Sequence, residues 1–462
     1  MRDIHSLDGS PRRILILKAA ATSVLLSLLF MIVYGSTNWF TAQRPSADVQ
    51  TWYFAWELTN IPYVPMLYLP YMSMDLFFFA ATFLCRDERE LRDFARRVVF
   101  SIFVAAAFFL LLPLRVDWPE RPHAGGWFGD WVEMSCSTPF LLEYPHNLFP
   151  SLHITLGMIV ADIYGRHTRG FIRILLYVWF ILIGISTLLT WQHHLVDVAG
   201  GLVLAGFAFY VFRESDSPCY VTPNVRVGCY YALGAVIVLT LAKAFGLWGV
   251  FLLWPAAGLG IAAAAYFGIG PGIFRKTNGC LPWSTRFVLA PILIGQYLSL
   301  VYYRRQCRVW DEVAPAVLIG RTLSNAEAAE AVKQGVTAVL DLTAEFSEAT
   351  PFRDTTYLNL PILDLTAPTQ DQLREAVAFI TEEALHGTVY VHCKIGYSRS
   401  AAVLGTYLLT TGQAATIEEA VEILREARPS IVIRPEVMEA LRTFANCEPS
   451  SNLHLEENVI GK

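Results

Sequence analysis

The chain is 462 residues long, enough for two or three domains, and it is 54% hydrophobic but only 16% charged. This composition is typical of a membrane protein. The net charge of −5 provides no basic surface for nucleic acid, so that class of partner is excluded. The eight cysteines include no Cys-x-x-Cys pair, which argues against a zinc site or a disulfide framework.

The apolar residues are distributed unevenly along the chain. Residues 14 to 303 contain repeated apolar runs long enough to cross a bilayer, whereas the remainder from residue 309 has the composition of a soluble α/β domain. The first run follows a basic N-terminus and is too long for a cleaved signal sequence, so a signal anchor is expected. We predict a membrane domain at 1–268, a basic interfacial linker at 269–308, an α/β domain at 309–448 and a polar tail at 449–462.

Eight segments are apolar enough to span a bilayer as helices. They are residues 14–36, 62–84, 98–114, 151–165, 171–190, 198–213, 229–246 and 247–268. Arginine clusters at 86–97 and 166–173 place their loops on the cytoplasmic side, and eight crossings place the α/β domain there too. A ninth run at 287–303 has basic clusters on both sides, which favours an interfacial or re-entrant helix, with nine spans as the alternative. The chain is thus predicted to be a multi-pass protein of the cytoplasmic membrane.

Polar residues at the outer ends of two predicted spans form a candidate site. His193 and Asp197 are four residues apart at a helix start, so the carboxylate can fix the imidazole tautomer and stabilise its cation. A free ring nitrogen could then attack phosphorus, while His153 on another helix protonates the leaving oxygen. His194 is an alternative nucleophile with poorer spacing to Asp197. The alternative is that this membrane domain has only a structural role, and that the His and Asp side chains hydrogen-bond to each other at the membrane interface.

This pattern resembles the type 2 phosphatidic acid phosphatase superfamily. The residues that carry the resemblance are Arg121-Pro122, Pro150-Ser151-Leu152-His153 and Ser186-Thr187 followed by His193 and Asp197. The resemblance implies that His193 is the nucleophile, Asp197 its partner and His153 the acid. It also implies that Arg115, Arg121 and Ser151 bind phosphate.

Two positions depart from the family pattern, because Leu152 replaces a glycine and Thr187 replaces an arginine. The family lysine is also missing, and Arg115 is the nearest cation, one position out of register. The variant motifs look more like those of sphingolipid head-group transferases. Transfer of a phosphoryl head group to an alcohol, instead of water, is therefore the alternative reaction at this site.

The strongest functional signal is the sequence Val389-Tyr390-Val391-His392-Cys393-Lys394-Ile395-Gly396-Tyr397-Ser398-Arg399-Ser400. Its apolar, β-branched start predicts a buried strand, and the apolar run that follows predicts a buried helix. Backbone N–H groups of the loop and the helix N-terminus can therefore hold an anion and favour the thiolate of Cys393. Arg399 can grip two phosphate oxygens with its planar fork. A buried structural cysteine would explain neither Gly396 nor Arg399.

The order His-Cys-x5-Arg-Ser resembles the signature loop of the cysteine-dependent phosphatases, in their dual-specificity branch. The form Cys-Lys-x-Gly-x-x-Arg-Ser is similar to the loop of members that act on lipid phosphates, including phosphatidylglycerophosphate phosphatases. The resemblance implies a phosphocysteine at Cys393, with Arg399 and Ser400 also catalytic. The other loop residues are implied to bind the substrate phosphate: Lys394, Ile395, Gly396, Tyr397 and Ser398. No metal and no cofactor is predicted.

The α/β domain is predicted to follow the order β-α-β-β-α-β-α-α, a central sheet flanked by helices. A phosphoester needs a proton donor opposite the thiol. Asp364 leaves the third strand in a loop shortly before a helix, and it matches the acid-loop Asp of the resembled family. It is therefore the predicted general acid, and Asp341 and Asp371 are weaker candidates.

Taken together, the sequence predicts an α-helical polytopic membrane domain followed by an α/β dual-specificity-phosphatase-like domain. The predicted activity is hydrolysis of phosphomonoesters, with lipid phosphates favoured because tethering at a bilayer raises their local concentration. The alternatives are a protein tyrosine or dual-specificity phosphatase anchored by the membrane domain, a head-group phosphotransferase at the membrane site, and a phospholipid-binding scaffold without catalysis. The head group and the oligomeric state stay open at this point.

Overall fold

The computed structural model describes residues 9–119, 126–127, 129–130, 146–213 and 222–447. Arg121 and the predicted tail at 449–462 lie outside the described residues. The chain divides into two compact units, Met1–Arg213 and Glu214–Lys462. This boundary falls before the last two predicted spans, so those spans group with the α/β domain and not with the preceding helices.

The first unit is helical throughout its regular structure. Its described α-helices are α1 Gly9–Ala42, α2 Glu57–Asn60, α3 Tyr68–Leu84, α4 Glu88–Leu111, α5 Leu152–His167, α6 Gly170–Leu189 and α7 Leu195–Val211. Their facing apolar side chains form one core, with small residues such as Ala81 and Ala105 fully buried between helices. Large apolar side chains on the outer faces, such as Leu25 and Phe171, are exposed. A surface of this kind suits contact with lipid.

The second unit opens with two apolar helices that pack against each other as a hairpin. Its first arm is α8 Val225–Ala244, and its second arm runs through a 3-10 turn into α9 Leu253–Ala264 and ends at Ile269. Residues 225–269 are called the apolar hairpin below. Two short helices follow it, α10 Trp283–Val288 and α11 Ala290–Tyr303.

Six described helical segments are long and apolar enough to cross a membrane by length and composition. They are Arg12–Ala42, Pro65–Leu84, Glu88–Leu111, Gly170–Leu189, Val225–Ala244 and Gly246–Ile269. The other two predicted spans correspond to shorter helices, α5 with 16 residues and α7 with 17. Helix α11, in the predicted interfacial run, has 14 residues and is about 21 Å long, less than the roughly 30 Å of a hydrocarbon core. The count of eight spans stays a prediction.

The α/β domain contains a five-stranded sheet in the order β1-β2-β5-β3-β4. The strands are β1 Trp310–Ala314, β2 Val317–Arg321, β3 Val336–Thr343, β4 Thr356–Ile362 and β5 Thr388–Cys393. Strand β1 is antiparallel to β2, and all other neighbours are parallel. Strand β5 is central and buried, as its β-branched run predicts. The carboxyl ends of the parallel strands therefore meet at one edge, where Cys393 ends β5.

Helices pack around this sheet as the predicted order requires. They are α12 Asn325–Lys333, α13 Thr350–Arg353, α14 Gln370–Glu383, α15 Arg399–Thr410, α16 Ile417–Ala427 and α17 Pro435–Cys447. Helix α15 is buried along almost its whole length, which explains its lack of a polar face. Three elements were not predicted: strand β1, helix α13 and helix α17. Strand β1 is a short edge strand with two acidic residues, so it lacks the apolar run by which strands are recognised.

Candidate active site

The phosphate-binding loop, residues 393–399, joins the central strand β5 to helix α15. Gly396 turns the chain with a φ of +75°, a conformation that side chains disfavour. A Cβ at this position would lie 2.4 Å from the carbonyl oxygen of Gly320 on the neighbouring strand β2. Glycine is therefore required both by the turn and by the close approach of the two backbones.

Cys393 is buried at the floor of this loop. Burial by itself raises the pKa of the thiol, but the nearby Arg399 guanidinium opposes it. The Ser400 hydroxyl and the backbone N–H groups of Ser400 and Ile395 lie near the thiol and act in the same direction as Arg399. The net result is a pKa of Cys393 below the ordinary value of a cysteine, which makes the thiolate more accessible than in an ordinary cysteine.

Arg399 is held rigidly at the first turn of α15. Its two terminal nitrogens donate to the carboxylate of Glu345 at 3.1 and 2.7 Å, and one of them also donates to the carbonyl oxygen of Ile362 at 2.8 Å. Both side chains are buried. Sequence reasoning missed Glu345, although a carboxylate just beyond a buried strand at the same sheet edge was a usable signal. Glu345 orients the guanidinium towards the loop.

Asp364 reaches the same loop from the segment 363–368 after strand β4, called the acid loop below. Its carboxylate pairs with the Lys394 ammonium and lies 3.4 Å from Arg399. Burial raises the pKa of this carboxyl, but the two cations outweigh burial and hold it below its ordinary value. Lys394 also donates to the side-chain oxygen of Gln296 in helix α11 at 2.9 Å.

The other predicted residues of the loop are placed as follows. Ile395 is buried, and Tyr397 and Ser398 are half-buried at the loop surface. Ser398 directly precedes helix α15. Ser400 lies in the first turn of that helix, near the thiol. The predicted nucleophile, arginine and acid are thus brought together, while their roles in binding and catalysis remain predictions.

The two weaker acid candidates lie elsewhere. Asp371 is on the surface of α14 and pairs with Arg374 at 3.0 Å. Asp341 is fully buried in strand β3, where it pairs with the Lys276 ammonium and accepts a hydrogen bond from the Tyr357 hydroxyl at 2.7 Å. Neither carboxylate faces the thiol.

A charged layer of Lys276, Asp341, His392 and Glu348 lies beneath the phosphate-binding loop. The Nε2 atom of His392 is 2.8 Å from Glu348 and 3.7 Å from Asp341. Burial lowers the pKa of His392, but the two carboxylates outweigh burial and raise it to about 9. Asp341, Glu348 and His392 are close enough to hold a metal ion. Lys276 pairs with Asp341, and the raised pKa of His392 favours its cation, so two basic groups face the two carboxylates of this layer.

In the first unit, the structure brings His153 and His193 to one cavity of about 330 Å³. The Nδ1 atom of His193 is 3.4 Å from the Asp197 carboxylate, as the predicted spacing requires. The same carboxylate oxygen accepts the backbone N–H of His194 at 2.9 Å, so it also caps helix α7. Asp75 of helix α3 lines the cavity too, and it is the only acidic residue among the described lining residues.

The two described residues predicted to bind phosphate at this cavity, Arg115 and Ser151, are not among its lining residues. Arg115 is exposed and is absent from the described lining, which contains no arginine or lysine. Arg121 lies outside the described residues. The Ser151 hydroxyl accepts the backbone N–H of Ile154 and caps helix α5, which gives it a structural role.

His194, the alternative nucleophile, is fully buried and points to another partner. Its Nδ1 atom is 3.2 Å from Glu57, and its ring stacks on Trp118 at 4.7 Å. Glu57 also accepts the backbone N–H groups of Phe54 and Leu195. Sequence reasoning missed Glu57 because it lies 137 residues from His194. Of the two histidines, His193 is the one that faces the cavity.

Comparisons with known proteins agree with the geometry of the α/β domain. A sequence profile described as the catalytic domain of dual specificity phosphatases matches residues 320–447. The chain is 30% identical over 172 residues to the phosphatidylglycerophosphate phosphatase PTPMT2 of Arabidopsis thaliana, covering 35% of this chain and 74% of that protein. It is 40% identical over 89 residues to the mouse phosphatidylglycerophosphatase and protein-tyrosine phosphatase 1, covering 19% of this chain and 46% of that relative.

Among solved structures, the crystal structure of PTPMT1 in complex with PI(5)P is similar to 30% of this chain, at 28% identity and a TM-score of 0.28, and 94% of that chain is covered. The profile match contains both Cys393 and Arg399 within the domain that builds the phosphate-binding loop. The chain therefore belongs to the dual-specificity phosphatase family and is a phosphatase that hydrolyses phosphomonoesters.

Proposed function

We propose that this phosphatase acts on lipid phosphates in the membrane that holds its own helices, through a phosphocysteine at Cys393. The observation that carries the proposal is that both ends of the apolar hairpin lie against the acid loop. Asn224, directly before α8, and Tyr266, near the end of the second arm, each donate a hydrogen bond to acid-loop carbonyls. Because both arms are long enough to cross a bilayer, the active site lies next to the membrane surface.

In this reaction the loop N–H groups and Arg399 bind the phosphate oxygens, and the thiolate of Cys393 attacks phosphorus. The bond from phosphorus to the ester oxygen breaks as the S–P bond forms, and Asp364 gives its proton to the leaving alkoxide. Water then attacks the phosphocysteine, its proton returns to Asp364, and phosphate leaves with the thiolate restored.

The protonation state of Asp364 depends on whether a phosphate is bound beside it. Without substrate, Arg399 and Lys394 keep the carboxyl deprotonated. A bound phosphate dianion is a stronger partner for both cations, and its negative charge next to Asp364 raises the pKa of the carboxyl. Binding of the substrate therefore favours uptake of a proton from solvent by Asp364, which gives the acid form.

The names of the relatives support the lipid proposal, since two of them are phosphatidylglycerophosphate phosphatases. Other relatives are dual specificity protein phosphatases, which keeps a membrane-anchored protein phosphatase as the rival. The predicted topology, a multi-pass protein with its α/β domain on the cytoplasmic side, places the site at the inner leaflet.

The test compares purified full-length protein in vesicles containing phosphatidylglycerophosphate with the same protein given phosphotyrosyl and phosphoseryl peptides. We expect a higher kcat/KM for the lipid, and no phosphate release by Cys393→Ser beyond any that His193→Ala also removes. A higher kcat/KM for the peptides would favour the anchored protein phosphatase.

A second candidate function belongs to the cavity of the first unit, and the placement of His153 and His193 on one cavity favours it. The candidate is phosphoryl transfer through His193, with His153 as acid, to water or to a lipid alcohol, as the resemblance to type 2 phosphatidic acid phosphatases implies. The test uses Cys393→Ser protein with lipid phosphates and phosphodiesters, with and without diacylglycerol or ceramide. Turnover that His193→Ala removes supports the candidate, and a lipid product of the acceptor identifies a transferase. Turnover that His193→Ala leaves unchanged, or no turnover, contradicts it.

A further inference from the structure

The acid loop is held by side chains that do not belong to the α/β domain. The Tyr266 hydroxyl donates to the carbonyl oxygen of Asp364 at 2.8 Å. The Asn224 amide donates to the carbonyl oxygen of Leu365 at 2.8 Å, and the Thr222 hydroxyl donates to that of Ala367 at 2.7 Å. Three carbonyls in a segment of four residues thus accept hydrogen bonds from the apolar hairpin and the residues just before it.

We propose that Tyr266, Asn224 and Thr222 are positioning residues that hold Asp364 in place as the proton donor. The active conformation of the acid loop then depends on the apolar hairpin being folded. This inference rests on the phosphocysteine reaction proposed above, but it concerns the acid step alone.

The backbone of the acid loop shows why it needs to be held. Leu365 has a φ of +62°, a conformation that is costly for a residue with a Cβ and persists where its surroundings impose it. The side chain of Leu365 is exposed, so packing of that side chain does not supply the restraint. Hydrogen bonds from the hairpin side to the carbonyl oxygens of Asp364 and Leu365 restrain this conformation, together with hydrogen bonds within the loop from the N–H groups of Leu365 and Thr366.

The donors are themselves fixed within the second unit. Tyr266 is buried, and its ring stacks on Tyr231 of helix α8 with centroids 5.5 Å apart. The backbone N–H of Asn224 donates to the carbonyl oxygen of Tyr266 at 2.9 Å, which ties the two ends of the hairpin together. Displacement of one arm would therefore move two of the three donors.

The contacts also reach the phosphate-binding loop, since Gln296 of α11 accepts from Lys394, the partner of Asp364. Asp364 is therefore restrained on its backbone by the hairpin and on its carboxylate through Lys394. Both restraints come from helices that precede the α/β domain in sequence. The residues that supply these restraints act on Asp364, and none of them contacts Cys393 among the described interactions.

The test is Tyr266→Phe in full-length protein in vesicles, which removes one donor and keeps the ring. We expect kcat on a lipid phosphate or another alkyl phosphate to fall by roughly 2–10-fold, the range of one ordinary hydrogen bond. Turnover of p-nitrophenyl phosphate, whose leaving oxygen needs no proton, should be unchanged. Tyr230→Phe is the matched control on α8, because the Tyr230 ring is exposed and its hydroxyl accepts only from Arg226 among the described hydrogen bonds.

A double-mutant cycle separates positioning from general damage. In an Asp364→Asn background, Tyr266→Phe should cause no further loss on alkyl phosphates, because the acid is already gone. Asn224→Ala should reproduce the Tyr266→Phe pattern. A multiplicative loss in the cycle, or an equal loss on aryl and alkyl phosphates, would overturn the proposal.

Two further measurements distinguish the positioning role of Tyr266 from the phosphocysteine reaction itself. The rate of Cys393 alkylation should be the same in Tyr266→Phe as in the wild type, and a changed rate would mean that the whole loop has moved. If the natural substrate is a phosphoseryl peptide and not a lipid, the alkyl-selective loss should appear with that peptide. If protein carrying both Cys393→Ser and His193→Ala retains activity, the phosphocysteine reaction fails whatever the result for Tyr266.

Discussion

The two candidate sites of this chain differ most in the charge that surrounds their nucleophiles. At the phosphate-binding loop, Cys393 lies beside Arg399, Lys394 and a helix N-terminus, and Glu345 orients the arginine. At the cavity of the first unit, His193 has a carboxylate to orient it, but no arginine or lysine is among the described lining residues.

An oriented nucleophile is only one of two requirements for phosphoryl transfer. A phosphate dianion must also be neutralised, and catalysis of this reaction depends mainly on positioning and charge. The loop meets both requirements with local backbone and one arginine. The cavity, in the described part of the chain, meets only the first.

The largest expected effect separates the two sites by their nucleophiles. Cys393→Ser should lower hydrolysis of phosphomonoesters by about 10⁴-fold or more, the scale of removing a nucleophile from its catalytic set. His193→Ala in the wild-type background should leave this activity almost unchanged. Phosphate release from vesicles measures both. A large loss in His193→Ala with full activity in Cys393→Ser would reverse the comparison.

The next effect tests the acid of the loop against the carboxylate of the cavity. Asp364→Asn should lower kcat on alkyl phosphates by roughly 10²–10⁴-fold and lower it less on activated aryl phosphates. Asp75→Asn makes the same substitution at the cavity and should change neither rate. An equal loss on both substrate classes in Asp364→Asn would point to another acid.

A smaller effect tests the charged layer beneath the loop through stability. The pKa of His392 is raised to about 9 in the folded state, above the ordinary value of 6.5, so its proton stabilises the fold. This contribution is fully present below about pH 6.5 and is lost as pH rises through 9, with up to about 3 kcal/mol at stake. Thermal unfolding from pH 6.5 to 9.5 measures it.

The control for this layer is His386→Gln, since His386 is exposed. The thermal stability of that variant should still fall between pH 6.5 and 9.5. The stability of His392→Gln should depend less on pH over the same range. An unchanged pH dependence in His392→Gln would show that another group carries the effect.

The smallest expected effect concerns the pKa of the thiol when the guanidinium beside it is removed. Arg399 is the largest cause that lowers the pKa of Cys393, so Arg399→Ala should raise that pKa and move the alkylation of Cys393 by iodoacetamide to higher pH. A small free thiol alkylated in parallel reports the reagent itself and should be unaffected. A profile that does not move would assign the low pKa to the backbone N–H groups and Ser400 alone.

The sequence by itself determined the parts of this protein that are local in the chain. Strand β5, the phosphate-binding loop and helix α15 lie within 23 residues, and their β-branched run, Gly396 and Arg399 follow from backbone geometry. The order of strands and helices around them was predicted for the same reason, because each element carries its own periodicity. The pair of His193 and Asp197 was also local, four residues apart on one helix face.

The tertiary structure decided which distant residues complete each site. Glu345 lies 54 residues from Arg399, and Tyr266 lies 98 residues from Asp364, so no spacing could indicate either contact. The sequence likewise did not predict that the apolar hairpin groups with the α/β domain, because its composition resembles that of the preceding helices. The apolar periodicity of a helix predicts which of its faces is buried. It does not predict the partner of that face, which here depends on hydrogen bonds between residues far apart in the sequence.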